Sequence, residues 1–246
     1  MVLEDFYSYV SANAGAGEFV VYSTLESKSQ KTIKPSDHVL LNFSDPFQSI
    51  IESQESQESA SIIFTNDQTV LKALPHLQSL RNNTIINIAL SNYQSVIALK
   101  DLNFTTLISS TKEDVLNALT LSHILVNSTN SPILHFINES LVEQSPNVKI
   151  SKSLSKILET QATDLVDGLN TLNSNGMKYN YVDFSKGSRN SKVALVNVGS
   201  HYNDLKSSGL PTINIKIFKP FEISQILGNL TGSVEAIAIL EDSNSK

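Results

Sequence analysis

The chain predicts an α/β fold built as two blocks of largely parallel sheet flanked by helices, and three observations carry that prediction. Short apolar runs alternate with amphipathic segments from residue 18 to residue 137, the pattern of strands separated by helices. A second alternation begins at residue 192 with the buried-strand run VALVNV. The closing stretch, PTINIKIFKPFEISQILGNLTGSVEAIAILEDSNSK, packs a strand, a helix and a strand into one nearly gapless unit. Parallel strands need a crossover of about that size, so the two terminal strands are expected to form a parallel pair.

A short N-terminal helix and the small-residue turn SANAGAG come first, followed by a strand over 18–22. Residues 38–43 predict a second strand and residues 46–51 the start of a helix, which runs into the polar low-complexity tract 52–59. Residues 62–64 predict a strand whose exit, Thr65, Asn66 and Asp67, supplies capping side chains for a helix bearing Val70, Leu71, Leu74 and Leu77. Pro75 should kink or split it. Segments 84–90, 93–99 and 105–109 continue the alternation, and Thr111 with Asp114 suits the N-terminus of a helix over 111–125. A strand over 132–137 closes the first block.

Residues 1–145 therefore form the first α/β block, 146–190 a helix and linker, and 191–246 the second block. The middle segment carries one long helix through Leu154, Ile157, Leu158, Leu165 and Leu169, then a Gly/Asn/Ser-rich connection. In the second block Gly199 and Ser200 make a tight turn after a strand over 192–198. Ile213, Ile215 and Ile217 alternate as one strand, Ile223, Ile226, Leu227 and Leu230 share a helical face, and 234–240 is the last strand. No segment recurs at a fixed period, which sets solenoids and propellers aside.

With 246 residues, 40% of them hydrophobic, the chain can bury a sizeable core. Eighteen basic against twenty-four acidic side chains give a net charge of -6, without the basic patch that nucleic-acid binding requires. The apolar runs are strand-length, short of the roughly 20 residues of a membrane helix, and the acidic start MVLEDFYSYV does not suit a secretory signal. A cytoplasmic protein is expected, and the sequons at Asn42, Asn82, Asn103, Asn127, Asn138 and Asn229 are read as unmodified. The chain has no cysteine, which removes disulfides, thiolate nucleophiles and cysteine-held metal clusters together.

Candidate chemistry is sparse. Gly15 and Gly17 precede the first strand, and Gly199 stands alone after a strand, so no phosphate-cradling glycine motif is present. His38, His76, His123, His135 and His201 are scattered singly; His201 is the best placed, beside the strand-end turn where α/β sites gather. Glu113 and Asp114 read as acids complementing a helix N-terminus, and Glu241 and Asp242 as a solvated chain end. Ser110 and Ser200 lack the G-x-S-x-G elbow of a hydrolase. No catalytic, cofactor-binding or metal-binding residue is assigned from this sequence.

Two stretches, ALKDLNF at 98–104 with LISS at 107–110, and PILHFIN at 132–138, closely resemble the N-terminal region of the fungal NADPH-dependent sulfite reductase hemoprotein (beta) subunit. INIKIFKPFEISQILGNLTGSVEAIAIL at 213–240 resembles the same subunit further on, and more distantly a domain of pyruvate:ferredoxin oxidoreductases. The resemblance runs from about residue 19 to residue 240. It implies the thiamine-diphosphate-binding and transketolase C-terminal-like folds, with the first block a degenerate thiamine-type fold, since the G-D-G…N motif is missing. It also implies a fragment, because the full-length family continues into an FMN region and a sulfite-reducing region with siroheme and a [4Fe-4S] cluster. The function expected from the resemblance is a non-catalytic scaffold or docking part for the flavoprotein (alpha) subunit. A fragment of a thiamine-dependent 2-oxoacid oxidoreductase, contributing one wall of the cofactor site, is the alternative; a free-standing α/β binding protein is the third.

Overall fold

The computed structural model describes residues 19–23, 39–40, 47, 51, 60–91, 94–126, 128–129, 131–138, 141, 152–199, 202–230 and 232–241. The N-terminal helix, the SANAGAG turn, the 52–59 tract, and Gly15, Gly17, His38, Ser200, His201 and Asp242 lie outside them. The strands are β1 (Phe19–Ser23), β2 (Val39–Leu40), β3 (Ala60–Asn66), β4 (Thr84–Leu90), β5 (Thr105–Ser109), β6 (Ile133–Asn138), β7 (Val182–Ser185), β8 (Val193–Val198), β9 (Thr212–Ile215), β10 (Ile217–Lys219) and β11 (Ala236–Glu241). The helices are α1 (Asp67–Lys72), α2 (Leu74–Leu77), α3 (Gln94–Leu99), α4 (Lys112–Leu125), α5 (Lys152–Leu158), α6 (Leu165–Ser174), α7 (Tyr202–Lys206) and α8 (Ile223–Leu227).

Two mostly parallel sheets result, the first ordered β10-β5-β6-β4-β3-β1-β2 and the second β11-β8-β9-β7. The first is parallel except at β10, the second except at β7. Every residue of β4 is buried, as expected of a parallel strand covered on both faces. One face carries Ile62, Phe64, Ile85, Leu107, Ile133 and Ile137 into a core with α4, α5 and α6. The other carries Ile63, Ile86, Ile108, Leu134 and Phe136 toward α1, α2 and α3.

Local chemistry sets the helix boundaries. The Asn66 side chain accepts from the Thr69 amide at 2.9 Å and starts α1; Pro75, in the first turn of α2, divides that segment in two. Thr111 accepts from the Asp114 amide at 3.1 Å and starts α4. The single helix expected through Leu154 and Leu169 is two, because Asp164 takes an extended conformation and caps α6 by accepting from the Asp167 amide at 2.9 Å. Gly168 lets α6 approach α4 closely, since a Cβ there would lie 2.9 Å from Leu121 Cδ1.

The terminal unit differs from the expected pairing. Residues 213–217 do not form one strand: the chain bends at Lys216, β9 stays in the second sheet and β10 crosses to pair antiparallel with β5 of the first. β9 and β11 are parallel in direction but not adjacent, because β8 lies between them. Within 146–190, residues 182–185 form β7, the far edge of the second sheet.

Gly187, between β7 and β8, has φ 53° and faces backbone, with a Cβ falling 2.3 Å from both Leu210 C and Pro211 N. Gly176 has φ 85° with open space around it. Gly187→Ala should therefore cost about 3 kcal/mol or more through clash and strain, and Gly176→Ala about 1 kcal/mol through the left-handed backbone alone. Urea denaturation of both variants checks the ranking.

Candidate functional site

Two groups of buried polar side chains tie the sheets internally, and neither follows from a sequence motif; a third pair, Ser91 donating at 2.7 Å to buried Asp67, joins the carboxyl ends of β3 and β4. The first is a line across neighbouring strands. Asn87 of β4 and His135 of β6 are register partners, and Ser109 lies two residues beyond Leu107, the partner of His135 on β5. His135 Nδ1 stands 3.0 Å from Asn87 Oδ1, and Nε2 stands 2.7 Å from Ser109 Oγ. With Asn87 presenting its carbonyl, Nδ1 carries the proton, and Ser109 donates to Nε2.

Hydroxyl, imidazole and amide in that order have the connectivity of a nucleophile, a base and an orienting group. Burial removes the chemistry. Ser109 and His135 are 0% exposed and Asn87 is 1% exposed, so no substrate reaches the hydroxyl. Burial also lowers the His135 pKa to about 3, far below the range useful to a general base at neutral pH. The line is a polar tie across β4, β6 and β5.

The second place is the seam between the sheets. Lys216, at the bend between β9 and β10, puts its ammonium 2.8 Å from Asp114 Oδ1 and 2.8 Å from Asp183 Oδ2. The same ammonium lies 4.8 Å from the ring centroid of Tyr179, a cation–π distance. The Lys216 and Asp114 side chains are each 3% exposed and Asp183 is 32% exposed. Desolvation works against the lysine charge, but the attraction and hydrogen bonds of Asp114, joined by those of Asp183, outweigh it and raise the pKa. Burial raises Tyr179 well above its ordinary value and Tyr202 to about 12, with Asp114 and Asp183 adding to both. Both phenols stay neutral.

Above this charge cluster, Ser110 donates at 2.9 Å to Asn214 Oδ1 and approaches the Gly199 carbonyl. Asn197 Nδ2 donates to the same two oxygens, at 2.7 Å to Asn214 and 3.1 Å to Gly199. Asn214 and Lys216 stand two apart on the strand course, and Ser110 and Asp114 four apart at the start of α4. The seam is thus one strand face laid against one helix N-terminus.

The sequence-derived candidates fare unequally. Asp114, read as a first-turn acid complementing the helix N-terminus, is also a buried ion-pair partner, because the strand course after β9 delivers Lys216 to it. Ser110 and Gly199 meet each other in the seam. His76 stands apart in α2, and His123, partly buried in α4, has its pKa lowered to about 4 by burial. Sequence reading missed Lys216, Asn214 and Asn197, whose one signal is polar residues recurring inside the otherwise apolar runs VALVNV and TINIKIF. Among the described residues no three His, Asp or Glu side chains group as metal ligands, and no helix is long and apolar enough to cross a membrane.

Lys216→Met leaves two carboxylates facing each other in the seam and should destabilise the protein by about 3–5 kcal/mol. The raised lysine pKa means that the folded state holds its proton more tightly than the unfolded chain. Its contribution is complete below pH 10.5 and lost as pH rises through the higher folded value. Alkaline unfolding curves should lose that step in the variant. At low pH the sign reverses for the histidines: the unfolded chain takes up protons from about pH 6.5 while buried His135 and His123 do not until about 3 and 4. Stability should fall across that window by up to about 1.4 kcal/mol per pH unit for each, and His135→Gln should flatten the slope in denaturant titrations.

No family model matches the chain. Over 92% of its length it is 28% identical to the NADPH sulfite reductase subunit beta of Saccharomyces cerevisiae, and it spans 16% of that subunit. All of the chain superposes on 58% of a 2-oxoglutarate:ferredoxin oxidoreductase chain from Magnetococcus marinus, with TM-score 0.58 and 10% identity. A split-gene transketolase, described as an inactive beta4 tetramer, matches 97% of the chain with TM-score 0.58 and 12% identity, over 77% of its own length. The chain is therefore similar in sequence to about one-sixth of a sulfite reductase beta subunit, on a fold shared with 2-oxoacid:ferredoxin oxidoreductases and transketolases.

Proposed function

We propose that the chain is a non-catalytic scaffold within an assimilatory NADPH-dependent sulfite reductase beta subunit, in the cytoplasm of a fungal cell, where it docks the flavoprotein (alpha) subunit. The similarity over 92% of the chain to the yeast subunit carries this reading. The burial of its polar groups supports the scaffold part: the Ser109–His135–Asn87 line and the Lys216 cluster bond to one another inside the fold, with Asn87 Nδ2 and Asp114 Oδ2 left buried without a hydrogen bond.

The cofactors of the full-length family do not fit these residues. A [4Fe-4S] cluster coupled to siroheme needs thiolates, and the chain has none. Sulfite reduction and FMN binding therefore belong, in this reading, to other parts of the complete subunit. Removing these residues from a complete beta subunit should leave its siroheme absorption spectrum intact while weakening co-elution with the flavoprotein subunit at least tenfold in apparent affinity. Unchanged co-elution across physiological salt counts against docking. Saturable calorimetric binding of thiamine diphosphate with Mg²⁺ to the chain alone would replace the scaffold reading with the thiamine-site alternative.

A further inference from the structure

The second sheet ends on a strand, β11, whose outer edge no described residue pairs with. β11 runs in unbroken parallel register with β8 over six residues, yet Ile237 is 45% exposed, Ile239 65% and Leu240 36%. In a parallel pair each residue turns its N–H and C=O to the same neighbour. The Ala236 amide bonds to Lys192 O at 3.0 Å, so Ala236, Ala238 and Leu240 face β8, and Ile237, Ile239 and Glu241 hold their backbone groups outward. Protein edges are ordinarily blunted by lysine, proline, an inward charge or a bulge, and residues 236–240 carry none of these.

Apolar surface surrounds that edge. Ile237 and Ile239 are register partners of Ala194 and Val196, which places them on the sheet face where Val196 and Ile213 pack with Ile226 of α8. On α8 and just before it, Ile223, Leu227 and Phe221 are each more than half exposed. The five exposed side chains on this face and on α8, Ile237, Ile239, Phe221, Ile223 and Leu227, sum to on the order of 500 Å², against the roughly 800 Å² that each partner contributes to a standard stable interface. The polar side chains of α8 and its exit are uncharged: Ser224, Gln225 and Asn229.

We propose that this edge pairs with a second copy of the same chain, β11 against β11 in antiparallel register about a two-fold axis at Ile239. The outward groups of Ile239 then bond those of its counterpart, and Ile237 lies opposite Glu241 of the other copy. The paired copies form a continuous eight-stranded sheet with both α8 helices on one face, a closed isologous dimer. The pairing is independent of flavoprotein docking.

Sedimentation velocity and amide exchange on the 246-residue chain test it together, over about 1–100 μM, which brackets dissociation constants in the micromolar range. The expected result is twice the monomer mass, with exchange at the Ile237 and Ile239 amides slowing as concentration rises. Ile239→Lys, at a solvent-facing position, should raise the dissociation constant at least tenfold and return those two amides to fast exchange. Monomer mass throughout overturns the proposal, whether those amides exchange fast or are protected by another part of the chain. A dimer that survives Ile239→Lys with unprotected amides overturns it equally.

Discussion

The arrangement of both sheets depends on Lys216, where the chain leaves one sheet and enters the other. Its carbonyl accepts from the Ile108 amide of β5 at 2.7 Å, and its own amide donates to Tyr181 O at 3.0 Å, just before β7. Its ammonium then joins Asp114 on α4 to Asp183 on β7. One residue thus contacts both blocks through backbone and side chain alike. A buried ammonium is strongly unfavourable alone, and two carboxylates alone are worse; the three are tolerated only in one geometry. What the cluster supplies is a fixed angle between sheets, since any shift of β9 relative to α4 strands a charge without its partner.

The His135 line does for register within the first sheet what Lys216 does between sheets. Parallel strands of continuous apolar residues such as TIINIAL offer little to distinguish one register from the next, because both faces are buried. Asn87, His135 and Ser109 break that degeneracy: slipping β6 by one residue against β4 would turn His135 to the opposite core, among Ile86, Leu134 and Phe136, away from both Asn87 and Ser109. Buried polar residues in this chain specify alignment, and the full burial that makes them effective at it also denies them a substrate.

Elements governed by local chemistry were legible in the sequence: the Asn66 and Thr111 caps, the split at Pro75 and the buried run of β4 each rest on residues within a few positions of one another. The failures are nonlocal. Asp114 has the sequence context of an ordinary first-turn acid, and its burial depends on a lysine 102 positions later. In TINIKIF the isoleucine alternation predicts one continuous half-exposed strand, but Asn214 and Lys216 on the alternate face are buried as well, and the bend between sheets falls at Lys216. The pairing of β11 with β8 likewise reflects sheet order, which the spacing between β9 and β11 does not encode. The interruption at Asp164 was readable in principle, since an aspartate three residues before another acid suits a helix start.

Ser110 and Gly199 occupy a telling place in this fold. In open α/β sheets ligands enter beyond the carboxyl ends of the strands, where loops diverge and backbone groups lie free. Ser110 follows the carboxyl end of β5 and Gly199 follows that of β8, positions from which such groups would reach a ligand. Here they reach each other, and Asn197 donates both to Asn214 and to the Gly199 carbonyl. A fold shared with 2-oxoacid oxidoreductases and transketolases is retained, while the polar groups at this junction serve cohesion between sheets. Fold alone never fixes function, and at this junction the side chains that hold the two sheets together are the ones a ligand would otherwise have to displace.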